Sequence, residues 1–289
     1  MSKTMLITGC SSGLGVALAI DGAKAGYDVF ATMRNLEKRS ALDAACDAAG
    51  VKVEVRRLDV QHPESVAEVV REITAEHGGV DVLINNAGIG FARSTEQADE
   101  ADITKVFDIN LMGVIRCTKA VLPNMRERKT GRVVTVSSVG GLVGQPFNEI
   151  YCASKFALEG YVEALACYVG PAFGIHFTVV EPGGIQSEFA ATAMKQIEET
   201  GGILEDAYQP ILGQYLGTVR SRAEDNSPYQ TAEEVSAVIM SCVQSDDPPV
   251  RCRTSDWGEE LCELKTIADP EGRKLRAKVR DMFLGETDN

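Results

Sequence analysis

A glycine-rich turn near the N-terminus decides the fold. The chain there reads Thr8-Gly9-Cys10-Ser11-Ser12-Gly13-Leu14-Gly15, directly after an apolar run over residues 5–8 and at the start of a helical pattern. Glycines at these positions let the backbone turn tightly and approach a pyrophosphate. Free amides and the positive end of the helix dipole stabilise the charge of that group. The same spacing also occurs in plain structural turns, so its position after a first strand is what indicates a nucleotide site.

Apolar runs of strand length alternate with amphipathic stretches of helix length along most of the chain. This rhythm predicts βαβ units and a parallel sheet covered by helices on both faces. The predicted strands lie at 5–8, 28–32, 51–58, 80–85, 132–137 and 175–180, with a candidate last strand at 250–253. We therefore expect a single α/β domain over residues 1–289, built on a doubly wound parallel sheet.

Composition excludes several classes of protein. The 289 residues carry a formal net charge of -13, which repels polyphosphate backbones and anionic membrane surfaces, so we expect no nucleic-acid partner. The eight cysteines form no CxxC pair and none of the three histidines is spaced as a metal pair, so we expect no metal site and reduced, mostly buried thiols. The chain has no signal-peptide pattern and no 18-residue apolar span, which predicts a cytoplasmic protein without a membrane span.

The segment from about 187 to 230 departs from the alternation, because it carries helical patterns instead of another strand. We interpret it as an insertion after the sixth strand. A helix then starts at Thr231, where Glu234 completes a capping box. The tail from about 258 to 289 ends in a run of basic residues, which is typical of a solvated helix face.

Tyr151 and Lys155 lie four residues apart in a helical pattern, so both side chains project from one face. A tyrosine has an ordinary pKa of about 10, and a nearby cation commonly lowers a pKa by roughly 1 to 3. We therefore expect a phenol suited to proton transfer at an alcohol or carbonyl. Such a pair also arises by chance, so the interpretation depends on the other motifs of the chain.

Three further polar features lie where open α/β sheets bind ligands. Ser138 ends the fifth predicted strand, and its hydroxyl could polarise a substrate carbonyl. Asn85-Asn86-Ala87-Gly88 ends the fourth strand, and Asn110 lies inside a long helical pattern, where asparagine is an indifferent helix former. Taken singly, each is better explained by a turn or a satisfied polar residue.

Together, these motifs resemble the classical short-chain dehydrogenase/reductase family in residue identity, order and approximate spacing, over about residues 3 to 188. The matching features are the glycine-rich turn, Asn85-Asn86-Ala87-Gly88, Asn110, Ser138, Tyr151, Lys155 and Pro182-Gly183. The resemblance implies a Rossmann-type fold, a helical substrate lid at about 187–230 and a C-terminal extension at about 258–289. The sequence of residues 30–34 and the long lid resemble those of the steroid and retinol dehydrogenase branch.

The resemblance also implies roles for individual residues. Tyr151 would be the general acid/base, Lys155 would lower its pKa and bind the nicotinamide ribose, Ser138 would hold the reacting oxygen, and Asn110 would support a water relay. Asp59 and Val60 would contact the adenine, and residues 182–187 would embrace the nicotinamide end. The full set of expected cofactor contacts is Thr8, Gly9, Ser11, Ser12, Gly13, Leu14, Gly15, Arg34, Asp59, Val60, Asn86, Ala87, Gly88, Tyr151, Lys155, Pro182, Gly183, Ile185 and Ser187.

The end of the second strand bears on the choice of cofactor. An acidic residue there would accept hydrogen bonds from the ribose hydroxyl, whereas arginine favours a 2′-phosphate. Here Met33 stands at the acidic position and Arg34 follows it, so we expect a preference for NADP(H). NAD(H) stays the alternative, because Ser12 stands where many NADP-preferring members carry a second basic residue.

The expected activity is hydride transfer between NADPH and a carbonyl, with a bulky apolar ketone as the substrate class. The lid supports that class with apolar residues, namely Phe189, Met194, Ile197, Ile203, Leu204, Tyr208, Ile211, Leu212 and Tyr215. The alternatives are an NAD-dependent alcohol or hydroxysteroid dehydrogenase and a catalytically silent NADP-binding sensor or scaffold. Helical patterns at 103–128 and 151–169 carry apolar residues on more than one face, so we expect a homodimer or homotetramer.

Overall fold

The computed structural model describes residues 2–186, 197–198, 201–224 and 229–284. Its centre is a seven-stranded sheet in the order β3-β2-β1-β4-β5-β6-β7, and every neighbouring pair is parallel. The strands are β1 (Thr4–Thr8), β2 (Asp28–Met33), β3 (Glu54–Arg57), β4 (Val82–Asn85), β5 (Gly131–Val136), β6 (Ile175–Glu181) and β7 (Arg251–Arg253). The strand order reverses between β1 and β4, which confirms the predicted doubly wound α/β fold.

Helices connect the strands and cover both faces of the sheet. They are α1 (Gly13–Lys24), α2 (Ser40–Ala49), α3 (Pro63–His77), α4 (Glu100–Phe107), α5 (Gly113–Arg128), α6 (Glu149–Phe173), α7 (Gln209–Glu224), α8 (Ala232–Gln244), α9 (Asp256–Thr266) and α10 (Arg273–Leu284). All seven predicted strands are present, although β3 is shorter than the predicted run at 51–58. In the described part of 187–230 the regular structure is helical, apart from a single bridge between Ile185 and Gln230.

The strands place alternate residues in two apolar cores. In β1, Met5 and Ile7 pack with α1, α2 and α8 on one face, while Leu6 packs with α3, α5 and α6 on the other. All three side chains are completely buried, as expected for a strand in the middle of a sheet covered on both sides. The site therefore stands on a rigid scaffold, because the carboxyl ends of the strands cannot shift without disturbing both cores.

The ends of several helices follow the local signals in the sequence. Pro63 occupies the first turn of α3, and Gly78 ends that helix at a φ of 83°. At α8, Thr231 Oγ1 accepts a hydrogen bond from the Glu234 amide, and the Glu234 carboxylate accepts one from the Thr231 amide, which confirms the capping box. None of the eight cysteines forms a disulfide and six of them are buried, as predicted.

The helical pattern predicted over 103–128 is not one uninterrupted α-helix, because a π turn over Asp108–Met112 separates α4 from α5.

Among the described residues, no helix combines the length and the apolar character that crossing a membrane requires.

The central strand supplies a test of the fold. Leu83 in β4 is completely buried, whereas Leu264 in α9 is 96% exposed. We expect Leu83→Ala to lower the free energy of unfolding by about 2–5 kcal/mol, because it removes buried contacts and leaves a cavity. The matched variant Leu264→Ala should stay within about 0.5 kcal/mol of the wild type. Urea denaturation measures both, and equal losses would contradict the assigned core.

Candidate active site

The glycine-rich turn forms a cradle that only glycine allows. Gly9 and Gly13 have φ angles of 77° and 53°, in the left-handed region that L side chains rarely adopt. A Cβ at Gly9 would lie 2.9 Å from Ala87 Cα, and a Cβ at Gly15 would collide with the Gly9 carbonyl oxygen. The Ser12 side chain makes no capping hydrogen bond at the start of α1. The turn therefore fits a pyrophosphate, which would meet backbone amides with no side chain between.

Asn86 fixes this turn against the end of β4. Its Nδ2 donates hydrogen bonds to the carbonyl oxygens of Thr8, at 2.9 Å, and Gly9, at 3.0 Å. Thr8 Oγ1 in turn accepts from the amides of Asn86 and Ala87, both at 3.0 Å. Two motifs that lie far apart in the sequence thus form one rigid edge at the switch point between β1 and β4.

Tyr151, Lys155 and Ser138 meet at the start of α6. Ser138 caps a short turn over Val139–Gly141, and the Tyr151 hydroxyl is hydrogen-bonded to the Ser138 side chain. Lys155 Nζ donates to the Val136 carbonyl oxygen at 2.9 Å and lies 5.8 Å from the centre of the Tyr151 ring. The phenol, the hydroxyl and the ammonium therefore converge at the carboxyl end of β5, as the sequence predicts.

Asn110 joins the same group from the π turn. Its Oδ1 accepts from the Ile89 amide at 2.8 Å, while its Nδ2 donates to the Ile89 carbonyl at 3.0 Å and to Ser154 Oγ at 3.1 Å. Ser154 Oγ donates to the Tyr151 carbonyl at 2.7 Å. Asn110 is completely buried, so its amide orders the loop after β4 and the first turns of α6 together.

Burial shifts the two titratable groups away from their charged forms. It raises the pKa of Tyr151 to about 12, although the hydrogen bond to Ser138 acts to lower this pKa. It lowers the pKa of Lys155 to about 8, although the charge of Glu159 acts to raise this pKa. The loss of hydration is the largest influence on the pKa of Tyr151, and the expectation that Lys155 lowers this pKa stays a prediction. The phenol stays protonated at neutral pH.

The predicted adenosine contacts lie at the ends of β2 and β3. Arg34 directly follows β2 and is exposed. Arg57 ends β3, pairs in register with Met33 and donates from Nε to the Arg34 carbonyl at 3.3 Å. Asp59 Oδ1 accepts from the Gln61 amide at 3.1 Å. Val60 is largely buried, and a Cβ at Gly113 would lie 2.9 Å from its Cβ.

The predicted nicotinamide contacts lie beside Ser138. The Pro182 carbonyl accepts from the Val139 amide at 2.9 Å, which ties the chain after β6 to the turn that follows Ser138. Gly183 packs against Trp257, since a Cβ there would lie 2.9 Å from Trp257 Cε3. Ile185 forms the bridge to Gln230. Ser187, Phe189 and Met194 lie outside the described residues.

Sequence reasoning missed the residues that hold the segment after β6. The Arg93 side chain is 2% exposed and donates to the carbonyl oxygens of Ile197, at 2.9 Å, and Gly202, at 2.8 Å. Tyr215 accepts from Asn148 Nδ2 at 2.7 Å and packs its ring 5.8 Å from that of Phe147. Phe147 has a φ of 59°, which no local signal predicts for a large aromatic residue.

Other missed residues lie on α6. Ser154 follows Tyr151 by three residues, and Glu159 follows Lys155 by four. The helical spacing that relates Tyr151 to Lys155 therefore also places these two residues on the same face of the helix.

Ile197 and Leu212 of the predicted apolar lining are buried, whereas Ile203 and Ile211 are about half exposed.

Known proteins are similar to this chain in sequence and in fold. A family model described as short chain dehydrogenase matches residues 3–198. Retinol dehydrogenase 8 of Bos taurus is 41% identical over 276 residues, covering 93% of this chain and 86% of that protein. The 17-beta-hydroxysteroid dehydrogenase type 1 of Homo sapiens is 36% identical over 291 residues, covering 98% and 87%. A solved actinorhodin polyketide ketoreductase with NADPH matches with a TM-score of 0.74 at 28% identity, covering 90% of this chain and 97% of that one.

The chain belongs to the short-chain dehydrogenase/reductase family, as its motifs predict. Its likeness to a retinol dehydrogenase and a hydroxysteroid dehydrogenase confirms the expected placement in that branch. The protein is accordingly an oxidoreductase of CH–OH groups.

Asn110 supplies a test of the site's architecture. We expect Asn110→Ala to lower the free energy of unfolding by about 2 kcal/mol or more, because it leaves the partly buried amide and carbonyl of Ile89 and the buried hydroxyl of Ser154 without the Asn110 side chain. Asn124 is a matched control, since its amide also bonds a backbone carbonyl, that of Gly78, but in an exposed setting. Asn124→Ala should cost less than about 1 kcal/mol. Equal losses in chemical denaturation would show that the π turn does not depend on Asn110.

Proposed function

We propose that this protein reduces a bulky apolar ketone to a secondary alcohol with NADPH, and that Tyr151 supplies the proton. The observation that carries the proposal is the convergence of the Tyr151 hydroxyl, Ser138 and the Lys155 ammonium beside Gly88. A Cβ at Gly88 would lie 3.8 Å from Lys155 Nζ, so the end of the nucleotide cradle and the proton-transfer groups adjoin.

The chemistry divides between the cofactor and the chain. The bound nicotinamide supplies the hydride. The substrate oxygen gains negative charge as its carbon is reduced, and Tyr151, protonated at neutral pH, donates its proton to that oxygen. Ser138 orients the same oxygen through its hydroxyl. Lys155 stabilises the phenolate that Tyr151 becomes, because its buried ammonium interacts through a medium of low dielectric.

Removing the Tyr151 hydroxyl tests this role. We expect Tyr151→Phe to lower kcat for ketone reduction by about 10²- to 10⁴-fold, because the general acid is lost while the ring is kept. NADPH binding, followed by thermal shift, should change little. Tyr168 is an exposed tyrosine on the same helix, and Tyr168→Phe should turn over like the wild type. Full activity of Tyr151→Phe would assign the proton to another group.

Two guanidinium groups favour NADP(H) over NAD(H). Arg34 and Arg57 lie next to each other at the ends of β2 and β3, where the 2′-phosphate of the cofactor would lie. Arg57 supplies the second positive charge that Ser12 does not. The similarity to a ketoreductase solved with NADPH adds support of the same kind. We infer that both arginines bind the phosphate.

The cofactor preference is tested by titrating NADPH and NADH in parallel. We expect Arg34→Ala to weaken NADPH binding about 10-fold or more, because a charge-assisted hydrogen bond contributes about 1.5–3 kcal/mol, and to leave NADH binding nearly unchanged. Arg57→Ala should have a smaller effect in the same direction. Trp257 fluorescence and thermal shift measure both affinities. Equal binding of the two nucleotides by the wild type would support the NAD-dependent alternative, and binding of neither would contradict the proposal.

The substrate class rests on the segment that Arg93 holds. We propose that residues 187–230 form a lid over the substrate, and that 258–289 extend a single domain over 1–289. Apolar groups of the described part, including Tyr208, Leu212 and Tyr215, suit a large apolar molecule. The names of the two relatives, a retinol dehydrogenase and a 17-beta-hydroxysteroid dehydrogenase, support the same class. A catalytically silent sensor has less support, because it needs no proton donor beside its nucleotide.

We also propose that two or four copies of the chain associate. Along α5 and α6, three apolar or aromatic side chains are 40–52% exposed, namely Met112 beside α5, and Phe156 and Tyr168 on α6. A second copy would cover them at a self-complementary interface. Light scattering that shows only monomer would contradict this.

A further inference from the structure

A buried pair of acids lies beneath the catalytic turn. Glu159 follows Lys155 by one turn of α6 and is 6% exposed, and Glu181, the last residue of β6, is completely buried. Their carboxyl groups are hydrogen-bonded to each other. Burying carboxylates costs a large free energy of hydration, and the function proposed above uses neither residue.

Among the described residues, Arg253 is the cation that forms a direct ion pair with one of the two acids. Arg253 Nη1 pairs with Glu181 Oε2 at 2.9 Å, and the two residues are in register across β6 and β7. Arg251 pairs with Glu163 at 3.5 Å, and its charge also acts to lower the pKa of Glu181. Within the described part of the chain, Glu159 has no ion pair, and its carboxyl group is hydrogen-bonded to the Ser137 side chain.

This arrangement calls for a proton between the carboxyl groups. Two facing carboxylates with one cation repel each other, and a proton on one turns the repulsion into a hydrogen bond. Burial raises the pKa of both acids, while Arg253 acts to lower that of Glu181. Glu159 is therefore the acid that holds the proton and donates it to Glu181.

The pair is built into the turn that carries Ser138. A Cβ at Gly141 would lie 2.7 Å from both Glu159 Oε1 and Ser137 Oγ, so only glycine lets this turn close over the acid. Glu181 directly precedes Pro182, whose carbonyl binds the Val139 amide. The acid pair thus lies between α6 and the two segments that flank the reacting groups.

We propose that Glu159 and Glu181 hold one proton between them, and that this acid pair is a positioning group that maintains the charge of Lys155. The proposal rests on the proposed function for its catalytic consequence. The charged and titratable groups that face the pair are Lys155 and Glu163 from α6, Arg251, Cys252 and Arg253 from β7, and Glu259 and Cys262 from α9.

The coupling acts through the electric field. Lys155 and Glu159 lie one turn apart on the same helix, and burial lowers the pKa of Lys155 to about 8 while the charge of Glu159 opposes that change. When the pH rises, Glu159 releases its proton to solvent and becomes a carboxylate near the ammonium. The new negative charge favours the charged form of Lys155 at the pH where burial would otherwise discharge it.

Glu159→Gln in the full chain tests the shared proton. Glutamine keeps the size of the acid and donates an N–H to Glu181, but it cannot titrate. A folded-state pKa above the unfolded value makes the wild type lose stability as the pH rises from the unfolded pKa through the folded pKa. We therefore expect the wild-type Tm to fall more steeply than that of Glu159→Gln as the pH rises above about 4.3, the ordinary pKa of a glutamate. Glu149→Gln, at an exposed acid of α6, should keep the wild-type slope. Equal slopes in all three proteins would overturn the shared proton.

The charge of Lys155 is read directly by NMR of the lysine 13Cε signals, assigned with Lys155→Met. We expect the pKa of Lys155 to be lower by about 1 in Glu159→Gln than in the wild type and in Glu149→Gln. An unchanged pKa would overturn the positioning role. This measurement needs no turnover, so it stands even if the proposed reaction fails.

The pH profile of ketone reduction tests the catalytic consequence. The alkaline limb of kcat should move to lower pH in Glu159→Gln, with the KM for NADPH unchanged. A merely structural role would lower kcat by the same factor at every pH, which would count against the proposal. Absence of turnover by the wild type would contradict the proposed function and leave the Tm and NMR results to decide the acid pair.

Discussion

The close approach of backbone to backbone at the carboxyl end of β1 is the constraint on which the site depends. Gly9 passes so near Ala87 that no side chain fits between the two segments, and Asn86 replaces the missing contacts with hydrogen bonds to Thr8 and Gly9. This contact holds β1 and β4 at the point where the strand order reverses. Residues 11–13 at the start of α1 stay partly exposed, so their amides are available to a pyrophosphate.

Helix α6 brings the remaining chemistry to the same crevice. Tyr151, Ser154, Lys155 and Glu159 follow one another at intervals of three, one and four residues, so one face of the helix carries the phenol, the link to Asn110, the ammonium and the buried acid. Burial has opposite effects on the pKa values of Tyr151 and Lys155, because in each case the charged form is the one that loses hydration. The phenol is thereby kept as an acid, and the charge of Lys155 becomes sensitive to its surroundings.

Much of this could be predicted from local patterns. The period of the apolar residues predicts all seven strands, because a covered strand requires a short apolar run wherever it occurs. The capping box at Thr231 and the glycine exit of α3 follow from residues within one turn of each other. The π turn at Asn110 and the positive φ of Phe147 could not be predicted in this way. Both depend on partners in distant segments, namely Ile89 with Ser154 for the former and Tyr215 for the latter.

The sequence by itself determined the class of fold and the family, and it predicted the four polar residues that meet near the carboxyl end of β5, because these follow from short spacings that can be read without knowledge of tertiary contacts. The tertiary structure alone decided how those residues behave. Burial raises the pKa of Tyr151, Arg57 lies beside Arg34, and Glu159 meets Glu181, which pairs with Arg253. Burial and charge pairing decide each of these outcomes, and both depend on which distant segments the folded sheet brings into contact.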